Sequence, residues 1–213
     1  MQVYLVKGEE DLRLDFIKNL ADKLSSKDKT LLLSFHRSKN KNIEDLFDMA
    51  GMISYDISDY FLEYIKLDKL ITKGNDKTHF IIPPLLENKY EFKKEDIDSL
   101  IKNLSDYDNI IIEELDSNLL DKKKTIKVIK DDQISENIKS DYFIIYARKD
   151  FDERLKRDEI LEKDSKFLGI KKEDKDYDKI LNNLKEDKKE EIGKLSLIEK
   201  IKMRFTKWNL SYL

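Results

Sequence analysis

Residues 6–14 read VKGEEDLRL and join an apolar run at 3–6 to a segment of helical period at 12–24. A strand-to-helix turn of this kind presents free N–H groups and the positive end of a helix dipole. Phosphate binds there when glycines let the backbone approach and a lysine reaches the oxygens. Here Lys7 and Gly8 are followed by Glu9, Glu10 and Asp11. Three carboxylates satisfy the same dipole from within the chain and repel a triphosphate at short range. The chemistry expected of this turn is exclusion of an anion.

A second acidic group, Glu113, Glu114 and Asp116, closes another apolar run. If both acidic groups meet at one sheet edge, a divalent-cation site is one outcome. Helix caps and solvated charge are the plainer outcome, and no metal is expected. His36 and His79 lie far apart with no HxxxH spacing, and no nucleophile elbow or triad pattern is present. The chain has no cysteine, which removes thiolate chemistry and disulfides. No residue is expected to be catalytic.

Runs rich in β-branched and aromatic residues alternate with helical segments, the mark of βαβ units and a mostly parallel sheet. Strands are expected at 2–6, 30–35, 78–82, 109–113, 125–129, 141–146 and 167–170, about seven in all. Helices are expected at 12–24, 43–49, 57–65, 94–104, 151–161 and 177–184. The organisation expected is an α/β domain over 1–184, a charged linker over 185–194 and a tail helix over 195–213. Charged residues make up 41% of the 213 and hydrophobic ones 39%, which suits a globular body with a heavily solvated surface. The net charge is −3, but 194–213 holds five basic residues against one acidic, so the body is the more acidic part. A concentrated basic footprint for nucleic acid is not expected there.

The order of these pieces resembles the MinD/ParA group of deviant Walker ATPases, and MinD most of all. "TLLLSFHRSKNKNIEDLF" is similar to the family's second strand and switch segment, and "ISYDISDYFLEYIKLDKLI" to its paired short helices. "HFIIPPLLENKYEFKKEDIDSLIKNLSDYDNIIIEE" resembles the strand ending in proline, the next helix and the Walker B strand. "DYFIIYARKDFD" and "FLGIKKEDKDYDKIL" resemble its late strands and last core helix. The resemblance implies a P-loop NTPase-like fold with a C-terminal amphipathic helix. It also implies a nucleotide loop that is degenerate here, at Lys7, Gly8, Glu9, Glu10, Asp11, Leu12 and Arg13. Leu12 stands where the family has the lysine for the β/γ-phosphates, and Arg13 where it has the magnesium-binding hydroxyl. Ser34 and His36 replace aspartates after the second strand, and Glu113 stands at a degenerate Walker B position. Lys7 keeps the signature-lysine place, which in the family reaches across a dimer, and Arg148 falls near the base-contacting loop. No cofactor is therefore expected.

The tail "SLIEKIKMRFTKWNLSY" opens on a capping box, Ser196 and Glu199. On a helical wheel Leu197, Ile198, Ile201, Phe205, Trp208 and Tyr212 fall within an arc of about 100°. Lys200, Arg204 and Lys207 flank one side of that stripe and Lys202 the other. Apolar bulk beside cations suits an anionic membrane surface. Docking on the core or in a partner's groove is the competing reading.

The expectation is a non-hydrolysing MinD-like pseudo-ATPase, peripheral on the inner face of the cell membrane in the cytoplasm. It would recruit a protein partner, with a homodimer open and no nucleic acid bound. Its rivals are an active ATPase with an atypical loop and a ParA-like or clamp-loader-like nucleic-acid-associated module. The last draws on the similarity of "VYLVKGEEDLRLDFIKNLADKL" to the opening of clamp-loader delta subunits. Tyr55, Tyr60, Phe61, Tyr64 and Ile65 mark a candidate protein interface wherever they are exposed.

Overall fold

The computed structural model describes residues 1–172 and 177–199. Its strands are β1 (Gln2–Gly8), β2 (Thr30–Ser34), β3 (Thr72–Lys73), β4 (Thr78–Ile81), β5 (Asn109–Glu113), β6 (Lys124–Lys130), β7 (Tyr142–Tyr146) and β8 (Lys166–Lys171). Its helices are α1 (Glu10–Ser25), α2 (Ile57–Phe61), α3 (Leu67–Leu70), α4 (Lys94–Asn103), α5 (Arg157–Leu161) and α6 (Asp178–Lys185). The strands form one sheet in the order β3-β4-β2-β5-β1-β6-β7-β8. Every neighbouring pair is parallel except β3 with β4.

β2 and β5 are buried at every position, as strands covered on both faces must be. On one face, α1, α6 and a 3-10 turn at Ile43–Phe47 cover Tyr4, Val6, Leu32, Ile111 and Ile144. On the other, α2, α3 and α4 cover Val3, Leu5, Leu31, Leu33 and Ile112. That same face carries a separate cluster at the β7–β8 end, built on Phe143, Ile145, Phe167 and Ile160 of α5. α1 docks through Leu14, Ile17, Leu20 and Ala21, an apolar stripe of period 3.6.

The sheet has eight strands because a two-residue antiparallel edge, β3, joins the seven expected; two residues carry no periodicity to read. The helix expected at 43–49 is the 3-10 turn Ile43–Phe47, closed by a left-handed Asp48. The one expected at 57–65 stops at Phe61, because Glu63 turns left-handed with φ of 60° before α3 begins. The one expected at 151–161 divides into a 3-10 turn, Glu153–Leu155, and α5. The charged stretch 185–194 lies against the body. Glu190 N–H donates to the Phe167 carbonyl at 2.7 Å, Asp187 accepts from Tyr142 and Lys166, and Ile192 is buried in the third cluster.

Candidate functional site at the carboxyl ends of β1 and β5

The connections that leave the neighbouring strands β1 and β5 run in opposite directions, β1 leading through α1 toward β2 and β5 leading to β6 on β1's other side. Such a reversal opens a crevice at the carboxyl ends of the strands. The crevice here is a cleft of about 620 Å³, lined by Lys7, Glu10, Arg13, His36, Ser38, Glu114, Leu115 and Asp116.

Its floor is set by how β1 passes into α1. β1 remains paired through Gly8, opposite Val128 of β6, and α1 starts at Glu10. Glu9 alone separates them. Gly8 takes a positive φ of 142°, which residues with a Cβ rarely adopt, and a Cβ there would run into the Val128 carbonyl oxygen, so only glycine allows β1 and β6 to close. A phosphate cradle needs several successive backbone N–H groups curled around an anion. One connecting residue does not supply them.

Arg13, in the first turn of α1, points into this corner with its side chain 5% exposed. Its Nε and Nη2 donate to Glu113 Oε1 at 3.0 and 2.8 Å. Nη1 donates to Glu114 Oε1 at 3.0 Å and to the Gly8 carbonyl at 2.5 Å. Gly8 N–H in turn donates to Glu114 Oε1 at 3.0 Å. The register that sets Val6 beside Glu113 brings these groups together across 100 residues of sequence. Burial pushes the Glu113 carboxyl above its ordinary range, while the guanidinium and the Ser34 hydroxyl oppose the shift. Glu114 adopts a left-handed backbone, φ 44°, which an L residue takes at a cost of about 1–2 kcal/mol.

The remaining loop residues go to other surroundings. Glu9 pairs with Lys130, and Glu10 accepts the Lys41 N–H at 2.7 Å. Asp11 is exposed at the helix start, and Leu12 is half-buried against the first core cluster. Lys7 and His36 line the cleft, and Ser34 donates to the His36 carbonyl at 3.1 Å. Among the described residues, no group of three or more His, Cys, Asp or Glu is placed to hold a metal ion. The two acidic groups thus part company: Glu113 and Glu114 meet Arg13, whereas Glu9 and Glu10 turn to other partners.

Several other candidates fall outside the cleft. His79 packs edge-on to Tyr107, its Nδ1 2.6 Å from the phenol oxygen. Arg148 pairs with Asp131, its guanidinium exposed. Tyr60 and Phe61 join an aromatic cluster with Tyr90, Phe92 and Phe35, while Tyr55 and Tyr64 are exposed. At the tail, Ser196 and Glu199 form the capping box, and Arg154 donates to Glu199 at 2.7 Å. The Ser196 hydrogen bonds, with Arg154 beside them, pull the Glu199 carboxyl down to about 2. Leu197 and Ile198 are exposed. Lys200, Ile201, Lys202, Arg204, Phe205, Lys207, Trp208 and Tyr212 lie outside the described residues.

A plasmid partition protein from Borrelia burgdorferi shares this architecture with a TM-score of 0.64, at 17% identity over 87% of this chain and 98% of that one. A MinD from Pyrococcus horikoshii, solved with Mg-ADP, gives 0.61 at 15% identity over 85% of each chain. The fold is that of the MinD and ParA ATPases. The MinC:MinD complex of Aquifex aeolicus is similar too, at 0.59 and 15% identity over 86% of each chain. No protein-family model matches the sequence, and no curated protein matches it.

The MinD/ParA-like fold implies a magnesium nucleotide, and the residues present do not fit one. The connection is a single residue, Leu12 packs on the core, and Arg13 stands at the hydroxyl position with its guanidinium turned onto Glu113. The sequence reading missed this role of Arg13. A signal for it exists: Arg13 falls four residues before Ile17, in line with the buried face of α1.

Proposed function

We propose that this chain is a non-hydrolysing, MinD-like pseudo-ATPase that serves as an adaptor at a membrane surface and recruits a protein partner. The observation that carries the proposal is the Arg13 guanidinium seated between Glu113, Glu114 and the Gly8 carbonyl. Those contacts use the positive charge that would otherwise meet a triphosphate, and Glu10 and Asp116 add negative charge to the cleft walls. The adaptor role is supported by the tail pattern, by the exposed Leu197 and Ile198, and by exposed Tyr55 and Tyr64 on the body. Among the described residues no helix is long and apolar enough to cross a membrane, so attachment would be peripheral. The Aquifex MinD is itself found in a complex with a partner protein, MinC.

A thermal-unfolding titration of the full chain with Mg-ATP tests the nucleotide half. A ligand specific for the folded state at a hundred times its Kd adds about 2.7 kcal/mol and raises Tm visibly. No shift at millimolar nucleotide is expected, and a saturable rise overturns the proposal. Sedimentation with vesicles tests the other half. The full chain should bind those rich in anionic lipid, lose that binding in Trp208→Glu, and show little affinity for neutral ones. Equal recovery of the variant with anionic vesicles would remove the tail from the reading.

A further inference from the structure

Three oxygens converge on one guanidinium in the cleft: Glu113 Oε1, Glu114 Oε1 and the Gly8 carbonyl. Two carboxylates and a carbonyl are also what a hard divalent cation selects, magnesium using one or two carboxylates and keeping several waters. Glu113 is buried and Glu114 only partly so, and a buried carboxylate cannot remain charged without a compensating cation. Arg13 meets that requirement from one helical turn away, with a planar fork that serves all three acceptors at once.

We infer that the Arg13 guanidinium is the resident cation of this corner, a tethered substitute for a divalent ion, and that it holds the β1–α1 turn and the end of β5 together without any ligand. The hold extends outward. Ser34, beside Glu113 on β2, is joined to the His36 carbonyl, and Glu10 holds the Lys41 N–H, so both ends of 36–41 are fixed from within. The segment is thus ordered by side chains of the chain itself. The biological meaning of this device rests on the non-hydrolysing reading above. Its test uses metal ions alone, so either can fail without the other.

The test compares the full chain with Arg13→Ala, Arg13→Lys and Glu114→Ala by thermal unfolding, in chelator and in millimolar magnesium or manganese. The native chain should melt at the same temperature in both conditions. Arg13→Ala should lose on the order of 10 °C in chelator, the loss expected for one partner of a buried pair in a chain of this size. It should then regain part of that loss with the divalent ion, by mass action. Arg13→Lys should fall as well but gain little from metal, because its ammonium still occupies the corner while reaching fewer acceptors. A metal-dependent rise in the native chain overturns the inference. So does an Arg13→Ala variant that loses nothing, or one that loses stability and recovers none of it with either ion. Glu114→Ala leaves the Arg13–Glu113 pair in place and provides an independent measurement if Arg13→Ala does not fold. Amide exchange at position 114, whose N–H donates to the Val6 carbonyl between the ends of β5 and β1, should quicken severalfold in it, and unchanged exchange would break the inference.

Discussion

Two clusters near the carboxyl rim of the sheet each set one cation against two carboxylates, and they are built on different principles. In the first, Arg13 meets Glu113 and Glu114. In the second, Lys89 meets Asp56 and Asp59 at 2.8 and 2.7 Å, with Asp56 fully buried. The aspartates have other work and other partners. Asp56 caps α2 through the Ser58 N–H and also accepts from Leu85 N–H, while Asp59 accepts from Asp56 N–H. Glu113 has the Arg13 guanidinium, and no backbone donor among the described residues. The lysine therefore adds to a capping arrangement that exists without it, whereas the arginine is the condition for burying Glu113. Charge count alone does not distinguish these clusters; the alternative donors available to each carboxylate do.

That contrast can be broken by mutation. Arg13→Ala should cost about 3–5 kcal/mol, because it strands Glu113 in a buried site. Replacing both partners, Arg13→Met with Glu113→Leu, should recover most of that loss, since an apolar pair of similar volume needs no compensation. A double variant as unstable as Arg13→Ala would show that the geometry of the pair, and not charge burial, holds the corner. Both are read by denaturant unfolding.

The pH dependence sharpens the comparison. Burial already holds the Glu113 carboxyl above its ordinary 4.5, so the folded chain keeps this proton more readily than the unfolded one. Stability from such a group is fully present below the unfolded value and is lost as pH rises through the folded value. Arg13→Ala removes the main opposing interaction and widens this window. The penalty of the variant should therefore be smaller near pH 4.5 than at neutral pH; a penalty that grows on acidification would contradict the assignment.

Lys89→Ala should cost less, about 1–3 kcal/mol, because Asp56 keeps two backbone N–H donors. A loss equal to that of Arg13→Ala would erase the distinction between the clusters. The smallest effect is expected of Leu12→Lys, which returns a lysine to the place where the MinD/ParA resemblance expects one. Leu12 is half-buried and a lysine stem can follow its path, so the change should cost roughly 1 kcal/mol or less. It should not produce an ATP-dependent rise in Tm while Arg13 remains on Glu113.

Much of this architecture was legible before the structure. The unbroken apolar runs of β2 and β5, and the 3.6-residue stripe of α1, are local patterns that report burial on two faces or on one. The elements that departed from expectation are short ones. The edge strand β3 and the divided segments around Glu63 and Asp152 depend on single caps and left-handed residues, which no periodicity carries. The acidic turn 9–11 suggested a loop hostile to phosphate; in the fold Glu9 ties down Lys130 and Glu10 the Lys41 backbone.

By itself the sequence determined the βαβ alternation, the two-sided burial of the central strands, and the acidic turn that follows Gly8. These follow from residue type and short-range spacing. Tertiary structure decided which partners those carboxylates and Arg13 find. The pairing of Arg13 with Glu113 joins positions 100 residues apart. It exists because β1 and β5 lie side by side in a register that sets Val6 against Glu113, and because a single residue turns β1 into α1. Burial then makes the pairing obligatory, since the Glu113 carboxylate, removed from water at that corner, needs a cation.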